Sequence, residues 1–263
     1  MYNRSLSLLV VLPCAMLLFF LGFMQQNRAV AAIKEHGTLP PTVITRTVVL
    51  TPTKDNTLYE NNDGATSNGI GAFFFVGKTA GGSIRRGLMA FDMAGSLPPG
   101  ATVVSASVQL QMSKTSGGAA TVGLHRALAD WGEGTSDASG NEGQGAAATT
   151  GDATWLHTFY DTALWQTPGG DFVPTATVST TVDGIGSYTW ASTPTLVAEV
   201  QGWLTTPANN FGWVVVGDES ANGTAKRFTA RESGAAANRP QLTVVYTVTE
   251  TALSNIYLPI IQK

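Results

Sequence analysis

One stretch, from Gly186 to Tyr246, limits the fold more than any other part of the chain. After a short amphipathic segment it contains runs rich in valine, threonine and aromatic residues, at Gly212 to Gly217, Lys226 to Arg231 and Leu242 to Val248. Runs of this composition, separated by glycine, asparagine and proline, predict short strands. We therefore expect this stretch to form the closing half of a β-sandwich.

Strand patterns continue upstream of that stretch. From Val104 to Met112, apolar residues alternate with serine and glutamine, which is the period of two of a half-buried strand, and we expect Val104 to share the buried face. Further strand patterns lie at Thr47 to Thr53, Phe73 to Val76, Gly87 to Asp92, Val122 to Leu128 and Thr175 to Val182. The predicted fold class is all-β, an antiparallel β-sandwich or jelly roll with one short helix.

The predicted helix begins at Ser192 or Thr193, with Pro194 at the first helical position, where its missing N–H group is not needed. Its apolar residues recur at helical spacing, at Leu196, Val197, Val200, Trp203 and Leu204. Trp203 is therefore expected in the core. We expect Trp190 and Trp213 there as well, because one precedes the helix and the other lies in an apolar strand.

The N-terminal residues predict export. Arg4 precedes an apolar run from Leu6 to Met24, and the small residues Ala29 to Ala32 suit a signal-peptidase site. Residues 1–32 are thus interpreted as a signal peptide, which predicts a secreted or cell-surface protein. The alternative is an uncleaved N-terminal anchor, and it is the one route by which we expect the chain to contact a membrane.

Charge and cysteine content exclude several classes of function. The chain has 15 basic and 18 acidic residues, a net charge of -3, so no nucleic-acid partner is predicted. The single cysteine, Cys14, lies in the leader, so the mature chain has no disulfide. Its stability outside the cell must come from core burial.

The rest of the chain divides into three parts. Residues 33–50 are interpreted as a linker or edge segment and residues 51–248 as the β-sandwich domain. Residues 249–263 form a tail that ends in the apolar run Ile256-Tyr257-Leu258-Pro259-Ile260-Ile261. Such a tail can pair with a sheet edge of the same or a neighbouring molecule.

An ordered succession of motifs resembles the DNRLRE domain family over about Thr51 to Val248. The motifs are Arg86 to Asp92, Leu97 to Ala101, Trp131-x-Glu133, Thr154-Trp155, Asn210 to Trp213, Phe228-x-x-Arg231-Glu232 and Arg239 to Tyr246. The chain departs from the family at its naming motif, of which Arg231-Glu232 remains. The resemblance implies a non-catalytic β-sandwich module of secreted and surface proteins, related to a family of carbohydrate-binding modules.

The residues themselves predict no enzyme. The chain has only His36, His125 and His157, and no serine lies in a Gly-x-Ser-x-Gly pattern, so neither a catalytic triad nor a zinc site is predicted. A glycan-active enzyme remains a third alternative. Carboxylates that a glycosidase could use are Glu133, Asp152, Asp171, Asp218, Glu219 and Glu232.

The predicted ligand site surrounds a long loop from Asp130 to Asp152, because loops of this length inside a compact domain are usually functional or mobile. Sugars stack on exposed aromatic rings, and their hydroxyl groups bind polar side chains. The predicted residues are Trp131, Glu133, Trp155, His157, Tyr160, Trp165 and Asp171. The ligand expected there is an extracellular or cell-surface polysaccharide. The alternative is that these aromatic residues pin the loop onto the sandwich.

Arg231, Glu232 and Glu133 are predicted to form a structural ion pair that fastens the last strands to the Trp131-x-Glu133 region. Because Arg231 and Glu232 are adjacent on an expected strand, their side chains should point to opposite faces.

No cofactor is predicted, and the binding of a structural calcium ion is kept as an alternative. Oxygen ligands for it lie at Asp55, Asn56, Asn61, Asn62 and Asp63, without the spacing of a calcium loop. The competing function is a structural or adhesive surface protein that self-associates through strand edges or the C-terminal tail.

Overall fold

A computed structural model describes residues 40–250. The predicted leader, and the tail beyond Glu250, lie outside the described residues. The strands are β1 (Thr42–Leu50), β2 (Lys54–Tyr59), β3 (Thr66–Ser67), β4 (Phe73–Lys78), β5 (Ile84–Ala90), β6 (Thr102–Thr115), β7 (Ala120–Arg126), β8 (Ala146–Ala147), β9 (His157–Phe159), β10 (Ala163–Leu164), β11 (Val178–Val182), β12 (Gly186–Trp190), β13 (Trp213–Val216), β14 (Lys226–Thr229) and β15 (Gln241–Glu250). The helix α1 spans Pro194–Thr205, and short 3-10 turns lie at Pro207–Asn209 and Ala236–Asn238.

The main sheet is antiparallel and has 11 strands. Its strand order is β1-β15-β6-β14-β4-β5-β13-β7-β11, with β12 added to β6 and β2 added to β5. The sheet curls, so that β11 approaches β12 and the Thr180 hydroxyl donates a hydrogen bond to the Thr189 carbonyl at 2.9 Å. Small ladders join β3 to β8 and β9 to β10. This architecture confirms the predicted all-β fold.

The inner core lies between the two halves of the curled sheet. Its rings pack directly, with Phe74 and Phe228 stacked at 5.5 Å and Trp203 against Trp213 at 4.6 Å between centroids. Trp190 is fully buried in the same cluster. The predicted core positions of Trp190, Trp203 and Trp213 are therefore confirmed.

A second core covers the outer face of β5 and β13. Successive residues on each strand enter different clusters: Met89 and Trp213 point to the inner core, whereas Leu88 and Val214 point to the second one. Both faces of this part of the sheet are therefore buried. A strand buried on both faces reads as a continuous apolar run, as Trp213–Val216 does.

Helix α1 begins where its sequence signals place it. Thr193 is the N-cap, and its hydroxyl accepts a hydrogen bond from the Leu196 N–H at 3.1 Å. Leu196, Val200 and Trp203 form the buried face. Among residues 40–250, no helix is long and apolar enough to cross a membrane.

One sequence prediction for β6 needs correction. Val104 does not share the buried face of β6 and is 55% exposed, because a register shift pairs Val245 with Ser105 but Tyr246 with Val103. The compact unit spans Thr42–Glu250. Strand β1 pairs with β15 over its whole length, so Thr42–Leu50 is an edge strand, in agreement with the edge alternative for residues 33–50.

Candidate functional site

The long loop lies on the outer face of the sheet, where one tryptophan within it and two that follow it are buried. Trp131, Trp155 and Trp165 are 1%, 8% and 5% exposed and belong to the second core. The Trp131 indole N–H donates to the Phe211 carbonyl at 2.8 Å, and that of Trp165 to the Thr154 carbonyl at 2.9 Å. Sugars need open ring faces, so these rings hold the loop in place and provide no stacking surface.

The rings of His157 and Tyr160 lie at the edge of the loop and are half-buried. They meet edge to face, with centroids 5.1 Å apart. The His157 Nδ1 atom is 3.0 Å from the Thr154 hydroxyl, which also accepts the His157 N–H. Both side chains therefore help to shape the turn that carries Trp155.

Asp171 lies in an open groove of about 550 Å³ next to the anchored loop, here called the loop groove. Its carboxylate accepts the N–H groups of Gln166 and Thr167 at 2.8 and 2.9 Å, which fixes the groove wall. The half-buried ring of Phe172 and the exposed Leu128 supply apolar surface. The groove thus combines an apolar floor with a polar rim.

Arg86 forms one side of the loop groove and is held from several directions. Its guanidinium lies 5.0 Å from the Trp155 ring and 5.1 Å from the Phe172 ring. It binds both carboxylate oxygens of Glu219 at 2.8 and 2.9 Å and donates to the Gly169 carbonyl at 2.8 Å. A bidentate, stacked arginine of this kind presents a rigid edge.

A cluster of acids surrounds Arg231, where β14 meets the loop. The Arg231 guanidinium binds both oxygens of Glu133, through Nε at 2.7 Å and through Nη2. Nη2 also lies 2.8 Å from Glu232 Oε1. The backbone N–H of Arg231 donates to Asp55 at 2.7 Å. Arg231 and Glu232 follow β14 in a turn, so the prediction that their side chains point to opposite faces is wrong.

Burial dominates the electrostatics of this cluster. It raises the pKa of Asp55 well above its ordinary value, with the Glu232 charge acting in the same direction. Burial also raises the pKa of Glu232 to about 7, although the Arg231 charge opposes the shift. Neither Glu232 oxygen makes a well-aligned hydrogen bond within residues 40–250, although Oε1 lies in the ion pair with Arg231. Burial therefore favours the protonated form of Glu232, and the Arg231 charge favours the ionised form.

The same three acids are close enough together to be metal ligands. Oxygens of Asp55, Glu133 and Glu232 lie within 4.8 Å of one another, as metal ligands would. The Arg231 guanidinium already supplies positive charge to this cluster, so the arrangement fits an ion-pair fastener. Two of the asparagines considered as calcium ligands bind local groups: Asn56 accepts from Ser67 and Asn68, and Asn61 accepts from Gly64.

The remaining acids considered for glycosidase chemistry also have structural partners. Asp152 is fully buried and accepts hydrogen bonds from the N–H and hydroxyl groups of Thr149. Glu219 is bound by Arg86, and Asp218 accepts the N–H and hydroxyl groups of Ser220, which lower its pKa. Asp171, the acid that lines the loop groove, accepts the Gln166 and Thr167 N–H groups.

Sequence reasoning missed a second concave site. This pocket of about 170 Å³, here called the cation pocket, is lined by Phe75, Arg85, Lys114, Asn141, Gln144 and Arg227 among others. Its charged residues are far apart in the chain. Strand register is the one signal that could have shown that they lie close together, because Lys114 on β6 pairs with Arg227 on β14.

No protein-family model matches the chain, and no curated protein sequence is similar enough to count as a relative. The resemblance to the DNRLRE family therefore stays a prediction.

Proposed function

We propose that the chain is a secreted, non-catalytic β-sandwich module of the DNRLRE type, and that it binds an extracellular or cell-surface polysaccharide in the loop groove. One observation carries the proposal: the groove joins the apolar surface of Phe172 and Leu128 to the polar groups of Gln166, Asp171 and Arg86. Sugars offer apolar C–H faces and hydroxyl groups to such a surface.

The rigidity of the groove supports this function. Arg86 is fixed by two rings and Glu219, and Asp171 is fixed by two backbone N–H groups. A ligand that binds there does not have to order these side chains, which removes part of the entropic cost of binding. The buried Trp155 contributes indirectly, because its carbonyl accepts the Gly169 N–H at 2.6 Å beside the groove.

A glycan array and affinity electrophoresis with the purified exported chain test the proposal. We expect retention by at least one polysaccharide, and retention by none would refute binding as the function. N-terminal sequencing of the exported protein tests the predicted leader, and a mature chain that begins near Ile33 is the expected result.

The edge strand β1 favours a second candidate function, a structural or adhesive protein. It lies at the end of the main strand order, and its residues Val43 and Val49 are 65% and 54% exposed. An exposed edge strand can pair with another chain. Light scattering would then detect oligomers whose size increases with concentration. Val49→Lys, or truncation from Leu253 onward, would abolish them. A monomer at all concentrations would contradict this alternative.

A further inference from the structure

The cation pocket has charges that nearby acids do not neutralise. Among residues 40–250, no Asp or Glu forms an ion pair with Arg85, Lys114 or Arg227. The acids that act on the arginines at longer range are Glu60 and Glu142. Both already accept backbone N–H groups, Glu60 from Ile84 and Glu142 from Ala72 and Phe73. The pocket is therefore electropositive in a chain whose net charge is -3.

Arg85 is the most deeply placed of these cations. It is 6% exposed, and its Nε atom is buried without a hydrogen-bond partner in the described part of the chain. Its guanidinium packs over the Tyr59 ring at 4.8 Å and donates to the Ile84 carbonyl at 2.8 Å. Burial lowers the pKa of Arg85 and of Arg227 from the ordinary arginine value. A buried charge of this kind favours an opposite charge beside it.

Arg227 lies on the pocket wall and uses only part of its hydrogen-bonding capacity. Its Nε atom donates to the Ser113 hydroxyl at 3.0 Å, and its guanidinium lies 3.7 Å from the centre of the Phe73 ring. Within residues 40–250, its two terminal nitrogens make no hydrogen bond, and neither does the exposed ammonium group of Lys114. Lys226 also lines the pocket, but its ammonium group is already bound by the Thr115 hydroxyl and the carbonyls of Gly117 and Gly118.

The opposite rim is fixed by Glu142. Its side chain accepts the Asn68 amide at 2.9 Å and the Phe73 N–H at 3.0 Å, while its carbonyl accepts the Tyr59 hydroxyl at 2.8 Å. Its φ of 59° lies in the left-handed region, which is costly for a residue other than glycine and is found where surrounding contacts enforce it. These contacts fix the backbone at Glu142, and the exposed side chains of Asn141 and Gln144 line the pocket on either side of it.

We propose that the cation pocket binds an oxyanion group, such as a carboxylate, sulfate or phosphate. Arginine guanidinium groups bind such oxygens through paired N–H donors, Lys114 adds charge, and Asn141 and Gln144 add neutral donors. The group can come from a free inorganic anion or from an acidic substituent of a polysaccharide. The site is separate from the loop groove, so the two proposals can fail independently.

Isothermal titration calorimetry of the full mature chain at low ionic strength tests the proposal. The probes are inorganic sulfate, inorganic phosphate, a uronate oligosaccharide, a sulfated oligosaccharide and a neutral oligosaccharide. We expect saturable binding of at least one anionic probe. Saturation by the inorganic anions identifies a free anion as sufficient, whereas saturation by the acidic oligosaccharides alone identifies a glycan substituent as the source.

Charge-removing variants locate the binding. Arg227→Gln and the exposed Lys114→Gln should each weaken anion binding, Arg227→Gln by about tenfold or more, the effect of losing a charged hydrogen bond. Arg46→Gln removes the same charge from the exposed β1 and should leave anion binding unchanged. Circular dichroism checks that each variant is folded. The proposal is overturned if no anionic probe saturates, or if Arg46→Gln weakens binding as much as Arg227→Gln does.

Discussion

Arg231 binds both carboxylate oxygens of Glu133, a residue 98 positions away in the chain. The contact joins the turn after β14 to the start of the long loop. Glu133 also accepts the Asp55 N–H at 2.8 Å, so the ion pair ties the loop to β2 as well. The start of the long loop is therefore fastened by charge to β2 and to the turn after β14, and Trp131 anchors it in the second core.

Glu133→Gln should destabilise the fold, because it leaves Arg231 with one fewer acid in a partly buried site. We expect a loss of about 1–3 kcal/mol, less than the ~3–5 kcal/mol of a fully buried pair, since the Arg231 side chain is 32% exposed. Urea denaturation measures the loss. Arg46→Ala, which breaks a surface pair with Glu250, should cost less than ~1 kcal/mol, and equal costs would argue against the fastener.

Stability should decrease as the pH rises from 5 to 8. Folding raises the pKa of Glu232 from 4.5 to about 7, so its stabilising contribution is complete below 4.5 and is lost as the pH passes through about 7. The raised pKa of Asp55 acts in the same direction. Glu232→Gln imitates the protonated side chain and should reduce the slope of melting temperature against pH. A melting temperature that rises across this window would contradict the assignment.

Trp165→Ala distinguishes a scaffold role from a ligand role. Removing this ring from the second core should cost about 3–5 kcal/mol and open the long loop to proteolysis, while β-sheet circular dichroism persists. Tyr160→Ala, at the half-buried edge of the loop, should cost less. If Trp165→Ala were as stable as the parent chain but lost polysaccharide binding, the ring would be a ligand contact rather than an anchor.

Chelation should leave the melting temperature unchanged. Arg231 supplies the positive charge among Asp55, Glu133 and Glu232, so the fold does not depend on calcium there. Differential scanning fluorimetry with EDTA and with added calcium measures this. A midpoint that falls with EDTA and recovers with calcium would show a bound ion, because a ligand of the native state raises its melting temperature.

Local sequence signals predict the strands and the helix well, whereas contacts between residues far apart in the chain could not be predicted from them. Thr193, Pro194 and the apolar spacing defined α1 because a helix start depends on adjacent residues. The burial of Trp155 and Trp165 was not evident, because the second core forms between a loop and a sheet distant in sequence. The cation pocket was missed for the same reason, since Arg85, Lys114 and Arg227 meet only through strand pairing.

The most direct measurement of the central claim compares polysaccharide binding by Gln166→Ala and Gln109→Ala. Gln166 is exposed in the loop groove, and Gln109 is an exposed glutamine on β6. Affinity electrophoresis against a polysaccharide that retains the parent chain gives the two dissociation constants. We predict that Gln166→Ala weakens binding by about threefold to tenfold, the effect of one net hydrogen bond, and that Gln109→Ala leaves it unchanged. Unchanged binding by Gln166→Ala, at equal stability, would contradict the placement of the ligand in this groove.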